Sequence, residues 1–485
     1  MFDAKTLPDG ETPAEGRIET DLCILGAGSG GLSVAAGAVQ MGARVVLLEG
    51  HRMGGDCLNY GCVPSKALLA AAKQAHAMGA GARLGVAPVP AGVDYAGAQD
   101  HVARAIAAIA PHDSQERFES LGVRVIRAQG RFVSPREVEA GGTRIAARRF
   151  VIATGSVPAV PDIPGLADLP YLTNETVWDL RALPAHLVII GGGPIGMEMA
   201  QAHRRLGAEV TVLEAGRALG REDREAADLV LARLRAEGVD IREGAGVTRV
   251  SGSAGAVAVE TEAGPVLGSH LLVAVGRRVE TDALGLEAAG IEGGPTGITV
   301  DDRLRTTNRR VYAIGDAAGR GQFTHLAGYQ AGVVVRSALL GLPARARGDH
   351  IPRATYTDPE LAQVGPTEDE ARAAHGRRLE VVRAEFAAND RAIAEGATDG
   401  FVKVMVVRGR PVGATIVGRA AGEQIGLWAL AIANRLKMRA ISDTVLPYPT
   451  RMEASKRAAG AFFAPRLFEN RALKWVVGFI QRNLP

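Results

Sequence analysis

The sequence has few cysteines, little net charge and no leader-like beginning. Its 485 residues include only three cysteines, too few for a secreted domain held together by disulfides. The 56 basic and 53 acidic residues leave a net charge of +3, which gives no electrostatic support for a nucleic-acid partner. Residues 1–19 contain four acidic residues before Arg17 and no apolar core, so they lack the pattern of a signal peptide.

One uncharged stretch requires a choice between two interpretations. Residues 22–43 form a run of 22 uncharged residues, which is long enough to span a membrane. Six glycines interrupt this run, together with Ser29, Ser33 and Gln40, and that composition is typical of a strand, a glycine turn and a helix. We therefore expect no integral membrane segment and a cytoplasmic protein.

What the chain does have is length, apolar residues and glycine. Apolar residues make up 47% and charged residues 22%, which is an ordinary globular composition. The length predicts about two to four domains. The 61 glycines follow no regular repeat and indicate many tight turns and close backbone contacts.

A strand, a glycine turn and a glutamate occur twice in the same order. In both copies a short apolar run leads into glycines spaced GxGxxG, then a helix-like segment, a second apolar run and the glutamate. The copies are residues 21–49, with Gly26, Gly28, Gly31 and Glu49, and residues 187–214, with Gly191, Gly193, Gly196 and Glu214. The first glycine and the glutamate are 23 positions apart in both copies (49 − 26 and 214 − 191).

This arrangement predicts two dinucleotide-binding units. The first glycine forms the tight turn, the second lets the backbone approach a pyrophosphate, and the third lets the helix pack on the strand. The helix N-terminus faces the phosphates, and the glutamate binds a ribose hydroxyl. Two such units in one chain favour one fixed and one exchanging cofactor, with hydride transfer between them.

Two cysteines follow the first unit directly. Cys57 and Cys62 are five positions apart, and in a regular helix their side chains diverge by about 140°, too far for ordinary disulfide geometry. Gly61 between them can distort the turn. A thiol at a helix N-terminus with Lys66 nearby is reactive because its pKa is lowered. Because no second cysteine pair is present, we predict no zinc or other metal site, and Cys23 is expected to be a core residue.

The segment GGDCLNYGCVPSKALL, residues 54–69, resembles the redox-active segment of the pyridine nucleotide-disulfide oxidoreductases. This family includes dihydrolipoamide dehydrogenase, glutathione reductase and mercuric reductase. The other motifs also follow the family's order, with ATGS at 153–156, the second glycine motif, VGR at 275–277 and AIGD at 313–316. The resemblance extends over about residues 18–460.

The resemblance implies an α/β fold with two Rossmann-like dinucleotide-binding domains and a C-terminal α+β dimerisation domain. The expected boundaries are residues 1–155 and 280–348 for the two parts of the FAD-binding domain, 156–279 for the NAD(P)-binding domain and 349–485 for the interface domain. Members of the family are homodimers, in which the partner's C-terminal domain completes each active site.

The resemblance also implies a role for each matching residue. The expected FAD contacts are Gly26, Gly28, Gly31, Glu49, Lys66, Gly130, Thr154, Gly155, Ser156, Asp316 and Thr324. The expected NAD(P) contacts are Gly191, Gly193, Gly196, Glu214 and Gly276. Lys66 and Glu198 match an ion pair beside the flavin. Electrons pass from reduced nicotinamide through the flavin to a Cys57–Cys62 disulfide. Cys62 is the flavin-side thiolate, and Cys57 is the exposed thiol that attacks the substrate.

The choice of nicotinamide cofactor depends on Glu214. Its carboxylate accepts a hydrogen bond from a ribose 2′-hydroxyl but repels a 2′-phosphate, so NAD(H) is favoured. Arg217 and Arg221 follow closely in the sequence and could bind a phosphate, so NADP(H) stays an alternative.

The C-terminal region departs from the disulfide-reducing members, which usually present His-x-His-Pro followed by a glutamate. In the matching stretch LPYPTRME, residues 446–453, Glu453 is kept but Tyr448 occupies the catalytic histidine position. A phenol with a pKa of about 10 is a poor general base near pH 7. Efficient dihydrolipoamide oxidation is therefore not expected. Tyr448 suits hydrogen bonding to a thiolate or a ligand, or packing in the interface.

Several functions stay open on the sequence alone. The favoured one is an FAD-dependent NAD(P)H:disulfide oxidoreductase that acts on a small thiol, a disulfide or a lipoyl-type carrier, with electrons flowing to this substrate or in the reverse direction. A mercuric reductase-like enzyme shares the Pro-Tyr-x-Thr pattern, although this chain has no cysteine after Cys62 to deliver the metal. Two further candidates are a diaphorase or quinone reductase and a binding subunit of a larger complex. Residues 471–482 indicate a basic amphipathic helix that packs on the dimer or contacts a membrane or partner.

Overall fold

The computed structural model describes residues 16–483. Most of residues 1–19, where no signal peptide is expected, lie outside the described residues. The uncharged run at 22–43 contains the end of strand β1 (Arg17–Leu25), a glycine turn and helix α1 (Ser29–Gln40). Between residues 16 and 483, every helix is too short or too polar to cross a membrane.

The first sheet has seven strands and contains the first glycine unit. In spatial order its strands are β3 (Arg124–Ile126), β2 (Val45–Leu48), β1, β6 (Thr143–Ile152), β5 (Glu137–Ala140) and β4 (Arg131–Ser134), with β18 (Val311–Ala313) also paired to β6. Strands β3, β2, β1, β6 and β18 run parallel, whereas β4 and β5 are antiparallel. Chain segments before and after the second glycine unit therefore build one sheet.

The second sheet repeats the parallel pattern with four strands. Its spatial order is β10 (Asp240–Glu243), β9 (Glu209–Glu214), β8 (His186–Ile190) and β14 (His270–Val273). A three-stranded antiparallel sheet accompanies it, formed by β11 (Val247–Ser253), β12 (Ala256–Thr261) and β13 (Gly264–Gly268). The connecting strands β7 (Val157–Pro158) and β15 (Arg277–Arg278) pair with each other, as do β16 (Gly293–Gly294) and β17 (Gly297–Ile298).

The last sheet is antiparallel and is formed by the C-terminal part of the chain. Its order is β19 (Pro352–Thr355), β20 (Glu360–Val364), β23 (Arg410–Gly418), β22 (Phe401–Val407) and β21 (Leu379–Glu385). The helices of the first two thirds are α2 (Gly55–Asn59), α3 (Cys62–Gly79), α4 (Tyr95–Ile109), α5 (Gln115–Ser120), α6 (Pro194–Arg205), α7 (Arg224–Ala236) and α8 (Thr324–Val334). The remaining helices are α9 (Glu368–His375), α10 (Asp390–Ala394), α11 (Ala421–Gln424), α12 (Gly426–Ala433), α13 (Met438–Ser442), α14 (Glu453–Ala461), α15 (Ala464–Phe468) and α16 (Arg471–Asn483).

The central strands of both parallel sheets are buried on both faces. In β1, Leu22 and Ile24 enter one apolar core while Cys23 and Leu25 enter another, as expected when successive side chains point to opposite faces. Strand β8 divides residues 187–190 between two cores in the same way. Each such Leu or Ile contributes about 1.5–3 kcal/mol by leaving water. This burial holds the glycine turns at the ends of β1 and β8 in fixed positions.

Candidate functional site

The first glycine of each turn has a backbone conformation that suits glycine alone. Gly26 has φ +102° and Gly191 has φ +109°. A Cβ atom on Gly26 would lie 2.4 Å from the carbonyl oxygen of Ala153, and one on Gly191 would lie 2.4 Å from that of Ala274. Both turns therefore need glycine for φ and for the close approach of a neighbouring strand.

The third glycine of each turn allows the helix to pack on the strand. A Cβ atom on Gly31 would be 1.9 Å from the carbonyl oxygen of Gly26. The equivalent distance from Gly196 to the carbonyl oxygen of Gly191 is 2.0 Å. No side chain fits at either position without movement of the backbone.

The middle glycines leave space where a pyrophosphate is expected. A Cβ atom on Gly193 would meet nothing within 4 Å, and one on Gly28 would meet only the Cα of Gly55, at 3.9 Å. Gly28 and Gly193 are also the N-cap residues of α1 and α6. Neither helix therefore has a side chain that caps its first amide groups. Amide groups at a helix N-terminus favour an anion. Both turns thus fit a dinucleotide phosphate.

The two predicted ribose ligands have matching hydrogen bonds. Glu49 accepts from the Ala27 and His51 amides, both at 2.7 Å. Glu214 accepts from the Gly192 amide at 2.7 Å and from the Gly216 amide at 2.8 Å. In both units the carboxylate is held beside the glycine turn, and each oxygen keeps a lone pair for a ribose hydroxyl.

Four further predicted cofactor residues lie in loops or beside the sheets. Gly155 and Gly276 have φ of +73° and +120°, so both occupy conformations that favour glycine. Gly130 is packed tightly, because a Cβ there would be 2.6 Å from Cδ1 of Leu48. Thr154 is exposed. The contacts of these residues with a cofactor stay predictions.

A break between two helices separates the cysteines. Helix α2 contains Cys57 and ends at Asn59, and α3 begins at Cys62. Gly61 between them has φ −116° and ψ −106°, which is not helical. A Cβ on Gly61 would lie 2.8 Å from Oδ2 of Asp56. The chain therefore turns at Gly61 against the Asp56 carboxylate, and the divergence expected within one regular helix does not apply.

Both cysteines are thiols, and each shifts the pKa of the other. A hydrogen bond from Cys57, with smaller contributions from Thr324 and Lys66, lowers the pKa of Cys62 to about 6. The same hydrogen bond and burial raise the pKa of Cys57. Near pH 7 the pair therefore holds a thiolate at Cys62 and a proton at Cys57. Buried Cys23 has a raised pKa and lies within β1, as expected of a core residue.

The two thiols differ in exposure within the single chain. Cys62, the first residue of α3, is exposed, and Cys57 in the short α2 is partly exposed. Which thiol faces the flavin and which one attacks the substrate stays a prediction. Thr324 Oγ1 lies 3.4 Å from Cys62 Sγ, on the side where the FAD contacts are expected.

The Asp56 carboxylate connects the cysteine segment to the strand that leaves the second unit. Its Oδ1 is 3.1 Å from Nη2 of Arg277 and accepts from Asn174 at 3.1 Å. Arg277 also donates to the hydroxyl and the carbonyl oxygen of Ser156, at 2.8 and 2.6 Å. Ser156 in turn donates to Asp316 at 2.6 Å, and burial raises the pKa of Asp316.

Sequence reasoning assigned no role to Asp56, Asn174 or Arg277. Asp56 lies in the GGDC segment and Arg277 in the VGR motif, so the sequence does carry a signal for these two residues. Nothing in the sequence pointed to Asn174. The structure brings all three together with two predicted FAD contacts, Ser156 and Asp316.

Lys66 and Glu198 form an ion pair at 2.8 Å. The Glu198 carboxylate is buried, and its other oxygen accepts from the Tyr356 amide at 2.9 Å. The Lys66 ammonium also lies 4.3 Å from the centre of the Tyr356 ring. Helices α3 and α6 and the first turn of the C-terminal sheet thus meet at this charge pair, while its position beside a flavin stays a prediction.

Tyr448 and Glu453 each form a hydrogen bond within the C-terminal region. Tyr448 is 70% exposed and its hydroxyl donates to Asp390 at 3.0 Å. That hydrogen bond raises the pKa of Tyr448 above its ordinary value. Glu453 begins α14 and accepts from the Thr450 amide at 3.4 Å. Their action on a neighbouring subunit's cysteines stays a prediction.

Comparisons with known proteins agree with this geometry. Residues 20–331 match the family model "Pyridine nucleotide-disulphide oxidoreductase", and residues 351–459 match its dimerisation domain. A mercuric reductase of Streptomyces lividans is 34% identical over 91% of this chain and 96% of its own length. A mercuric reductase of Bacillus cereus is 33% identical over 92% of this chain and 72% of its own.

A solved structure shows the same architecture. The Cu(II) complex of the HOCl-induced flavoprotein disulfide reductase RclA from Escherichia coli superposes with a TM-score of 0.80 at 31% identity, covering 89% of this chain and 98% of that chain. The family match covers well over half of the residues, and the glycine turns fit two dinucleotides. The chain belongs to the pyridine nucleotide-disulphide oxidoreductases, flavoenzymes that use FAD and NAD(P)H.

Proposed function

We propose that this enzyme passes electrons from NAD(P)H through FAD to a Cys57–Cys62 disulfide and on to a thiol-reactive oxidant. The observation that carries the proposal is the pair of thiols formed by Cys57 of α2 and Cys62 at the start of α3, where Cys62 has a pKa of about 6 and contacts Thr324. The ion pair between Lys66 of α3 and Glu198 of α6 joins the same helix to the second nucleotide unit. This combination suits a dithiol that is reduced on one side and oxidised on the other.

The residues divide this work as follows. FAD bound at the first glycine turn would supply two-electron transfer between the nicotinamide and the disulfide. Two electrons and one proton convert the disulfide to a Cys62 thiolate and a Cys57 thiol. Attack by Cys57 on a substrate disulfide breaks its S–S bond and forms a mixed disulfide. Attack by Cys62 then releases the second substrate thiol and closes the Cys57–Cys62 bond again.

The raised pKa of Cys57 makes its proton the main obstacle to disulfide exchange. The thiolate is the nucleophile, so Cys57 needs a base. We propose that the partner's Tyr448 and Glu453 lie near this thiol in the dimer. A phenol whose pKa is raised by Asp390 cannot serve as that base near neutral pH. The enzyme should therefore be a slow dihydrolipoamide dehydrogenase.

A thiolate-binding metal ion is the second candidate substrate, and the raised pKa of Cys57 favours it. A metal ion that binds thiolates displaces the Cys57 proton without a general base, because metal binding itself releases protons. The similar proteins include mercuric reductases and a reductase with bound Cu(II). Closing the Cys57–Cys62 disulfide would release two electrons, which reduce one mercuric ion to the metal or two cupric ions to cuprous ions.

Steady-state kinetics with NADH and NADPH test these proposals. The oxidants to compare are lipoamide, glutathione disulfide, mercuric ion, cupric ion and a quinone. We expect Cys57→Ser and Cys62→Ser each to lower disulfide or metal reduction at least about 100-fold, since a single thiol cannot close a disulfide. Quinone reduction should persist in both variants.

Two results would contradict the proposal. Full activity of Cys57→Ser with every oxidant would show that the flavin serves the acceptor directly, as in a diaphorase. Rapid turnover of lipoamide by the wild-type enzyme would show that Tyr448 does not impair dihydrolipoamide chemistry. The carboxylate of Glu214 beside the turn supports NADH as the better donor, and the same assay measures that preference.

A further inference from the structure

The C-terminal helix α16 is separate from both family matches. It spans Arg471–Asn483, whereas the matched dimerisation domain ends at residue 459. None of its residues is buried. The preceding helix α15 also leaves Phe468 69% exposed. This end of the chain therefore presents a helix whose apolar side chains contact no other part of residues 16–483 closely enough to be buried.

The apolar side chains of α16 lie on one broad face. At 100° per residue, they cover about 200° of the helix circumference. Those that are exposed are Trp475, Val476, Val477, Phe479 and Ile480. The Trp475 ring is 72% exposed and stacks on Phe479, with ring centroids 5.9 Å apart. A continuous aromatic and aliphatic face of this kind requires a covering surface in water.

The opposite face of α16 is basic. Arg471, Lys474 and Arg482 project from it, and the helix contains no acidic residue. Two copies of such a helix would repel each other, so self-association of α16 is electrostatically unfavourable. A negatively charged surface would be complementary to the basic face of α16.

We propose that α16 lies flat on a bilayer surface that contains anionic lipids and attaches the enzyme to it. Thirteen residues of helix are about 20 Å long, shorter than the ~30 Å hydrocarbon core, so the helix does not span it. Trp475 and Phe479 would enter the headgroup boundary while the basic side chains contact lipid phosphates. Each basic residue near an anionic surface strengthens binding about fivefold.

Sedimentation with lipid vesicles tests this proposal on the full-length, FAD-loaded enzyme. One set of vesicles contains phosphatidylcholine alone, and the other contains phosphatidylcholine and phosphatidylglycerol. We expect binding to the mixed vesicles, weak binding to the neutral ones, and release at high salt because the attraction is screened. Trp475 emission should shift to shorter wavelength on binding, and Trp475→Phe should remove that shift.

Three variants test whether lipid binding depends on the two faces of α16. Phe479→Asp should abolish sedimentation and Lys474→Glu should weaken it about 10-fold or more, because a charge is reversed at the surface. Arg377→Glu, at an exposed arginine outside the helix, is the matched control and should change binding little. NAD(P)H oxidation in solution should be the same for all three.

Two outcomes would overturn the proposal. One is equal sedimentation, or none, with neutral and anionic vesicles. The other is a change in oligomeric state of Phe479→Asp, measured by analytical ultracentrifugation, which would show that α16 covers a second copy of this chain.

Discussion

The two glycine units are nearly identical in backbone and differ in what covers them. In both units, a Cβ atom added to the first glycine would lie 2.4 Å from a carbonyl oxygen. A Cβ atom added to the third glycine would lie 1.9 or 2.0 Å from one. In both, a glutamate accepts from an amide in the glycine turn at 2.7 Å. One local sequence pattern thus produces one backbone geometry twice.

The two units differ in what packs against the middle glycine, Gly28 or Gly193. In the first unit, Gly54 pairs with Gly28 and the Gly54 amide donates to Ala27 at 2.9 Å, so the cysteine segment closes over the turn. Glu49 is 8% exposed there. In the second unit a Cβ on Gly193 would meet nothing within 4 Å. This contrast supports the proposal that the first unit retains its dinucleotide and the second exchanges one.

The largest expected effect comes from filling the third glycine position. Gly31→Ala places a methyl group 1.9 Å from a carbonyl oxygen, and such overpacking costs about 1–3 kcal/mol or more when backbone must move. We expect protein that is purified with little FAD and has a lower Tm. Gly196→Ala should lower Tm similarly but keep FAD, as measured by the flavin-to-protein absorbance ratio.

Gly193→Ala is the matched control, because its methyl group enters open space and its φ of −75° suits alanine. It should fold with an unchanged Tm and raise KM for the nicotinamide cofactor. Loss of FAD from Gly196→Ala, or retention of FAD by Gly31→Ala, would contradict the assignment of FAD to the first unit and of the nicotinamide cofactor to the second.

An intermediate effect is expected at Glu214. Glu214→Ser removes the carboxylate that opposes a 2′-phosphate, and an interaction between unit charges at about 4 Å is worth ~1 kcal/mol even in water. The ratio of kcat/KM for NADPH over NADH should therefore rise at least about fivefold. The corresponding Glu49→Ser variant should leave this ratio unchanged. A ratio that does not move in Glu214→Ser would exclude Glu214 as the selective residue.

The smallest expected effect is a pH shift at the junction of the two units. The negative charge of Asp56 opposes a thiolate at Cys62, while Lys66 favours it. Because the thiolate forms above the pKa, Asp56→Asn should move the pH profile of Cys62 alkylation below about pH 6, and Lys66→Met should move it higher. The measurement is iodoacetamide labelling of the reduced enzyme, followed by mass spectrometry of the Cys62 peptide.

Equal profiles for wild type and Asp56→Asn would show that the Arg277 guanidinium already neutralises the Asp56 carboxylate completely. In that case the connection between the units would be structural and would not tune the thiols.

Much of this molecule could be predicted because the constraints are local. The glycine turns follow from the spacing, because the third glycine of each unit avoids a clash with a carbonyl oxygen of its own turn. The first glycine also needs its positive φ, which is a property of the turn itself. The family's order of motifs then predicts the fold class, which the family match and the sheets confirm. Cys23 was correctly predicted as a core residue for the same reason, since it lies within a buried strand.

The rest depends on contacts between distant segments. The break at Gly61 forms against Asp56, and Asp56 is held by Arg277 and Asn174 from beyond the first unit. No pattern of spacing encodes such a contact. The places of Cys57 and Cys62 relative to the flavin and the substrate depend on contacts of this kind, and they stay predictions.

The most direct test of electron transfer to the cysteine pair is anaerobic reduction of the FAD-loaded enzyme by one equivalent of NADH, followed by absorbance. We expect a long-wavelength charge-transfer absorbance from the Cys62 thiolate, which fades as the pH falls through about 6 and is missing in Cys62→Ser. Absence of this absorbance in the wild-type enzyme, or the same spectrum from Cys62→Ser, would contradict the claim that the cysteine pair receives the electrons.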